Sequence, residues 1–239
     1  MEIINLNTNN QNPEIREMNV LQRMIGIIVN PVETMKSIAE KPTMLFAVIL
    51  MAAAPALLYF LRASLYGDFM KYIMEMTMAS SNSSAQVTPE QMQASIGIYT
   101  KLGPVIAGVG GLFGWFVGAA VLFGIMKIFK GQGTFKQYLS ITAFASVIMS
   151  VYYLLSLALS YVTGTLLLNS SLALLVPDMK GELTYGLLRI LDLFYVWHYA
   201  VIGIGVAVVS KVSKAKVYPV VAIVFIVSML IGINSYKYM

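Results

Sequence analysis

The chain has 239 residues, 58% of them apolar and only 11% charged, against roughly 25% charged in an average soluble domain. Its mean hydropathy is +0.76, and so few charges could not cover the surface of a 26.2 kDa globule; a soluble globular protein is excluded. The net charge of +5 does not point to nucleic acid, because the lysines and arginines sit in ones to threes at the ends of apolar runs, as membrane topology requires. Cysteine is absent, which removes disulfides, thiolate metal sites and cysteine nucleophiles. A single histidine excludes any site needing two imidazoles.

The polar N-terminus, with its first long apolar run beginning at Met44, carries no cleavable signal peptide. Residues 13–29 place Ile15, Met18, Leu21, Met24, Ile25 and Ile28 at helical spacing, with Glu14, Arg16, Glu17, Gln22 and Arg23 elsewhere around the helix. This predicts an amphipathic helix on the inner leaflet. Asn30-Pro31 supplies a cap and first-turn proline for a second short helix ending near Lys41-Pro42.

Crossing about 30 Å of hydrocarbon takes roughly 20 apolar residues in a helix. Five stretches approach that length without a charge: 44–61, 104–126, 138–163, 193–210 and 217–236. Pro55 falls inside the first and predicts a kink. The loop 62–103 is Met-rich, then Ser-rich, then potentially helical from Pro89. Segment 165–176 is too short to span and is interrupted at Asn169-Ser170-Ser171, so it reads as interfacial or re-entrant. The expected architecture is an all-α integral membrane protein: a 1–43 cytoplasmic amphipathic region, then a five-helix membrane domain over 44–239.

Orientation follows from the basic residues. Arg16, Arg23, Lys36 and Lys41 precede span one; Lys127, Lys130 and Lys136 lie between spans two and three, and Lys211, Lys214 and Lys216 between four and five. The other side carries Arg62, Lys71, Lys101, Lys180, Arg189 and Lys237, mostly in longer loops. Short loops weigh most, which predicts a cytoplasmic N-terminus and an outer C-terminus in the cell membrane.

Span two carries Gly110, Gly114 and Gly118 at intervals of four, with Gly108 and Gly111 beside them. Such a face lets another backbone approach closely, either within the chain, in a homo-oligomer or in a partner complex. The hydroxyls of Ser140, Ser146, Ser150, Ser156 and Ser160 on span three are expected to bond to backbone carbonyls or neighbouring helices. Asp192 and His198 on span four are the ionisable groups nearest the bilayer interior, which makes them candidates for an intramembrane polar site together with Trp197. The bland reading pairs Asp192 with Arg189 and places Tyr195, Trp197 and Tyr199 in an aromatic belt. Six residues turn a helix by about 600°, which takes His198 off the face of Asp192. Asn-Ser-Ser sequons begin at Asn82 and Asn169, both in outer loops. No GxxxxGK[ST] loop, GxSxG elbow or HExxH motif occurs, so the sequence argues for no enzyme, metal or cofactor.

Three segments, NPVETMKSIAEKP from Asn30, GQGTFKQYLSITAFASV from Gly131 and DLFYVWHYAVIGIGVAVVSKVSKA from Asp192, resemble the Yip domain family in order and spacing. The first resembles the short amphipathic helix before span one in bacterial members. The second resembles the family's G-x-G-[ST]-x-K-Q loop, and the third its D-x-F-x-x-W span followed by a basic loop. The resemblance implies a non-enzymatic protein acting on other membrane proteins. The short form resembles bacterial members, some of which accompany ABC-type exporters as accessory or assembly components. No D-L-Y-G-P motif is found and few residues precede span one, which argues against small-GTPase binding. By this analogy the N-terminal helix, 131–136 and 211–216 would face a partner or lipid headgroups. The expected function is a membrane adaptor for another complex, with a solute channel or proton-coupled carrier using Asp192 and His198 as the second reading.

Overall fold

The computed structural model describes residues 17–62, 65, 88–164 and 170–233. The Met-rich and Ser-rich stretches of the loop after the first apolar helix and both sequon asparagines lie outside them.

Local sequence sets most helix starts. α1 (Val20–Val29) opens with a capping box in which the Asn19 side chain accepts from Gln22 N and Gln22 from Asn19 N. α2 (Pro31–Glu40) follows at once, with Asn30 as cap and Pro31 in its first turn. The two fold back on each other at Gly26, where any Cβ would run into the Thr34 hydroxyl. α3 (Leu45–Leu61) has 17 residues, about 25 Å at 1.5 Å each.

α4 (Pro89–Ile128) is one unbroken helix of 40 residues, capped by Thr88 and Gln91. At about 60 Å it is twice the hydrocarbon thickness, so its first turns extend the expected span well beyond the bilayer. α5 (Phe135–Ala145) and α6 (Val147–Thr163) together form the third apolar stretch. Two 3-10 turns, Leu172–Leu175 and Pro177–Met179, and the short α7 (Leu183–Ile190) then lead into α8 (Leu193–Ser210) and α9 (Lys214–Ile231).

Four segments have the length and apolarity to cross a bilayer: Thr100–Ile128, Phe135–Thr163, Leu193–Ser210 and Lys214–Ile231, with the shorter apolar Leu45–Leu61 beside them. The described chain is thus an all-α membrane protein. α5 and α6 form its centre, burying Tyr138, Ile141, Phe144 and Ile148 against Val201, Val206 and Val209 of α8. α3 packs along α4 and α6, and α9 along α8. Apolar residues on the outer side of α4, such as Val105, Val109 and Phe113, are exposed, as lipid contact requires.

The third span is bent. Ser146 N donates to both Thr142 O and Ala143 O at 3.2 Å, and its hydroxyl bonds back to Thr142 O at 3.1 Å. Such back-bonding bends helices, and it divides the expected 138–163 helix at 145–146.

The N-terminal helices belong to the same core. Ile27, Met35 and Ile38 are fully buried against α5 and α8, so no break in packing separates residues before and after 43. α1 is amphipathic but begins at Val20, with residues 17–19 ahead of the helix and 13–16 of the expected 13–29 helix outside the described residues; Leu21, Ile25, Ile28 and Val29 are exposed, while Arg23, Gly26 and Ile27 face inward. Arg23 departs from the polar face expected of it, because its guanidinium closes the end of α2. It donates to Ser37 O and Lys41 O, both at 2.8 Å, and to the Ser37 and Thr43 hydroxyls. A cation there meets the negative end of the helix dipole, and burial lowers its pKa.

Of the expected 165–176 segment, 165–169 lie outside the described residues, and 170–176 contains a 3-10 turn rather than a helical span. Leu172, Leu174 and Leu175 are exposed, and only Ala173 and Ser171 are buried, beneath α7.

Candidate functional site

Three constellations bring together the residues that the sequence singles out. The first is the basic end. Here the Gly131 loop is tied to the C-terminal end of α8, with Gln132 N donating to Ser210 O at 2.7 Å. Gly133 has φ +87° and lies against Val209, so a side chain would be both strained and obstructed. Thr134 and Gln137 form the capping box of α5, and Gln137 Nε2 reaches back to Ala39 O at 2.7 Å. Lys127 donates to Gly131 O and Gly133 O.

The motif therefore staples α2, α5 and α8 into one end. Lys130, Lys136, Lys211, Lys214 and Lys216 stand exposed around it. Two of the acids at this end, Glu33 and Glu17, engage Lys36 and Lys41 in solvent-exposed pairs, which contribute little.

The opposite end is a buried clasp. The Arg189 guanidinium donates to Asp192 Oδ2 at 3.2 Å with both side chains almost fully buried. Asp192 also accepts from the Ser170 hydroxyl at 2.7 Å and from Phe194 N at 2.9 Å, so it caps α8 as well. Arg62, at the end of α3, donates to Ser160 Oγ at 2.8 Å, to Ser156 Oγ at 2.7 Å and to Ser156 O. Two of the expected hydroxyls thus receive a guanidinium. Outside the helices, burial and the nearby Arg189 hold Lys180 below its ordinary pKa.

The third constellation lies mid-bundle. His198 Nδ1 is 3.0 Å from Ala145 O at the α5–α6 bend, and Trp115 Nε1 donates to Thr142 Oγ1 at 3.0 Å. The half-buried His198 and Trp115 border a cavity of about 230 Å³ with Gly111, Gly114 and Gly118 of α4, Ser146, Ser150 and Ile202. Close approach of helices within the chain falls on other glycines. A Cβ on Gly108 would sit 3.2 Å from Ala52 O, and one on Gly103 would sit 3.0 Å from Tyr59, whereas Gly110, Gly114 and Gly118 have nothing within 4 Å.

Asp192 and His198 belong to separate networks, the first to the clasp and the second to the bend. Trp197 packs against the main core. Sequence reasoning missed the inward Arg23 and the Arg62 clasp, because an arginine beside an apolar run reads as a topology marker. Among the described residues no group of three or more His, Cys, Asp or Glu could hold a metal ion.

Fold and site together define a polytopic helical membrane protein with a stapled basic end, a buried clasp at the other end and a cleft between. The chain matches the Yip1 domain over residues 25–234, and it belongs to that family. It is 25% identical over 194 residues to the membrane protein YknW of Bacillus subtilis (strain 168), which covers 80% of each chain. No solved structure matches it.

Proposed function

We propose that this chain is a non-enzymatic membrane adaptor that holds another membrane complex, an ABC-type exporter by analogy with the bacterial relatives that accompany such systems. The observation that carries this reading is the uncovered glycine face of α4. No described residue comes within 4 Å of a Cβ built on Gly110, Gly114 or Gly118, and glycine faces of this spacing serve close helix–helix packing in membranes. A partner helix seated there takes the place that α3 takes at Gly108. The stapled basic end faces the cytoplasm, where lysines beside anionic lipid are worth about 1 kcal/mol each, and the exposed stripe of α1 lies in the same leaflet.

The test is extraction of the tagged chain from its native membrane in mild detergent, followed by identification of stoichiometric companions. Gly114→Leu should abolish their recovery without loss of insertion. Phe113→Leu, on the neighbouring lipid-facing side, should leave it intact. Recovery unchanged by Gly114→Leu refutes the seam. A second copy of the chain as the sole companion replaces the adaptor with a homo-oligomer.

A further inference from the structure

The cavity beside the glycine face has a specific chemistry that does not depend on whether a partner helix docks there. Its volume is about 230 Å³, while an apolar cavity of about 150 Å³ admits a benzene ring, so there is room for one substituted ring. The walls are apolar, with Gly114 and Trp115 on one side and Ile202 on the other. No carboxylate lines it, and a buried cation would lack a counter-charge.

At the bend its polar groups are acceptors, beside the hydroxyls of Tyr153 and Tyr199, which also line it. The partner of His198 Nδ1 is the Ala145 carbonyl oxygen, which can only accept, so the neutral ring keeps its proton on Nδ1 and leaves a bare lone pair on Nε2. Nε2 has no hydrogen-bond partner among the described residues. The hydroxyl protons of Ser146 and Ser150 go to Thr142 O at 3.1 Å and Ser146 O at 3.3 Å, which leaves only oxygen lone pairs for an occupant. A purely apolar occupant would leave these lone pairs unsatisfied.

We propose that this cavity is a binding site for a single ring-sized, neutral group carrying an O–H or N–H donor, of the phenol or indole class. The donor hydrogen-bonds to His198 Nε2, and the ring lies between Trp115 and the glycine wall.

The experiment uses the full chain in nanodiscs with Trp197→Phe, so that Trp115 is the sole indole emitter, and two heavy-atom quenchers of similar size, 4-bromophenol and bromobenzene. After correction for partition into lipid, 4-bromophenol should quench saturably with an affinity roughly 5- to 10-fold above bromobenzene, the worth of one neutral hydrogen bond. His198→Phe should keep saturable quenching and equalise the two. Gly114→Leu should weaken both, and its open surroundings make it a variant that folds even if His198→Phe does not.

Unsaturable quenching of the parent, or a 4-bromophenol preference that survives both substitutions, overturns the proposal. Addition of 4-bromophenol to a purified complex then identifies the source of the ring. Release of the companion assigns it to a partner side chain, and retention to a free small molecule. If no companion exists the adaptor reading fails, and the quencher result on the single chain still decides the cavity.

Discussion

Replacement of Asp192 by asparagine removes one negative charge from the most buried ion pair in the described bundle. The side chains of Arg189 and Asp192 are 6% and 1% exposed, so solvent screening takes little away from their interaction. Asparagine can still accept from Phe194 N and keep the α8 cap, but the guanidinium loses its counter-charge. Breaking a buried pair by removing one partner costs about 3–5 kcal/mol. The retained cap places Asp192→Asn at the lower end, about 3 kcal/mol.

For a chain of this size a loss of 1 kcal/mol lowers Tm by about 2–4 °C, which predicts a fall of about 6–12 °C. Helical circular dichroism during heating of the purified protein in one detergent measures it. The paired change Arg189→Met with Asp192→Asn should recover most of the loss, since a neutral pair of similar volume leaves no buried charge without its partner. A single variant that melts within about 1 °C of the parent, or a double variant no better than the single, refutes the argument that charge pairing holds this end.

Gly108→Leu should cost at least about 1–3 kcal/mol by overpacking, because Ala52 O stands 3.2 Å from the new Cβ, while Gly110→Leu should leave Tm unchanged. Equal melting of the two variants contradicts the assignment of α3 to the Gly108 face. Gly133→Ala should lower stability by about 1–2 kcal/mol from its left-handed backbone alone, with the obstruction by Val209 added; chemical unfolding in mixed micelles reads it. Gly26→Val should drive α1 off α2 through collision with Thr34, visible as faster protease cleavage within 20–29 while the bundle core stays intact. Trp115→Phe should lose about 1 kcal/mol with its bond to Thr142, together with the blue-shifted part of the intrinsic fluorescence.

Much of the scaffold is legible in the residues themselves. Uncharged length located the apolar stretches, because the bilayer imposes a length and forbids charge along it, although α4 begins at Pro89, well ahead of the expected 104, and the third stretch is divided at 145–146. Asn30 announces a helix start, since capping is a contact between near neighbours, while the capping boxes at Asn19 and Thr134 emerged only from the structure. The lysine clusters at 127–136 and 211–216 share one end, as their spacing between spans implies. The Gly131–Gln137 motif was recognisable as a pattern, but its meaning came from the fold: each of its parts reaches a different element, Ser210, Val209 or Ala39.

Other features only the tertiary structure decided. In a soluble helix the apolar face marks the core, but in a bilayer both the lipid-facing and the core-facing sides are apolar. Nothing along α4 therefore says that Gly108 meets α3 while Gly110, Gly114 and Gly118 stay open. The bend at 145–146 occurs where Ser146 competes for backbone carbonyls, a local event that becomes decisive because His198, 53 residues away, is aimed at Ala145 O. Arg62 and Ser160, separated by 98 residues, meet because α3 and α6 run side by side to the same end. The sequence by itself thus determined the apolar stretches of the helices and the cap at Asn30, which depend on near neighbours and on the membrane. Which faces touch, and the cavity left between them, depended on how the helices assemble, because only that arrangement decides which polar groups find each other within an apolar solvent.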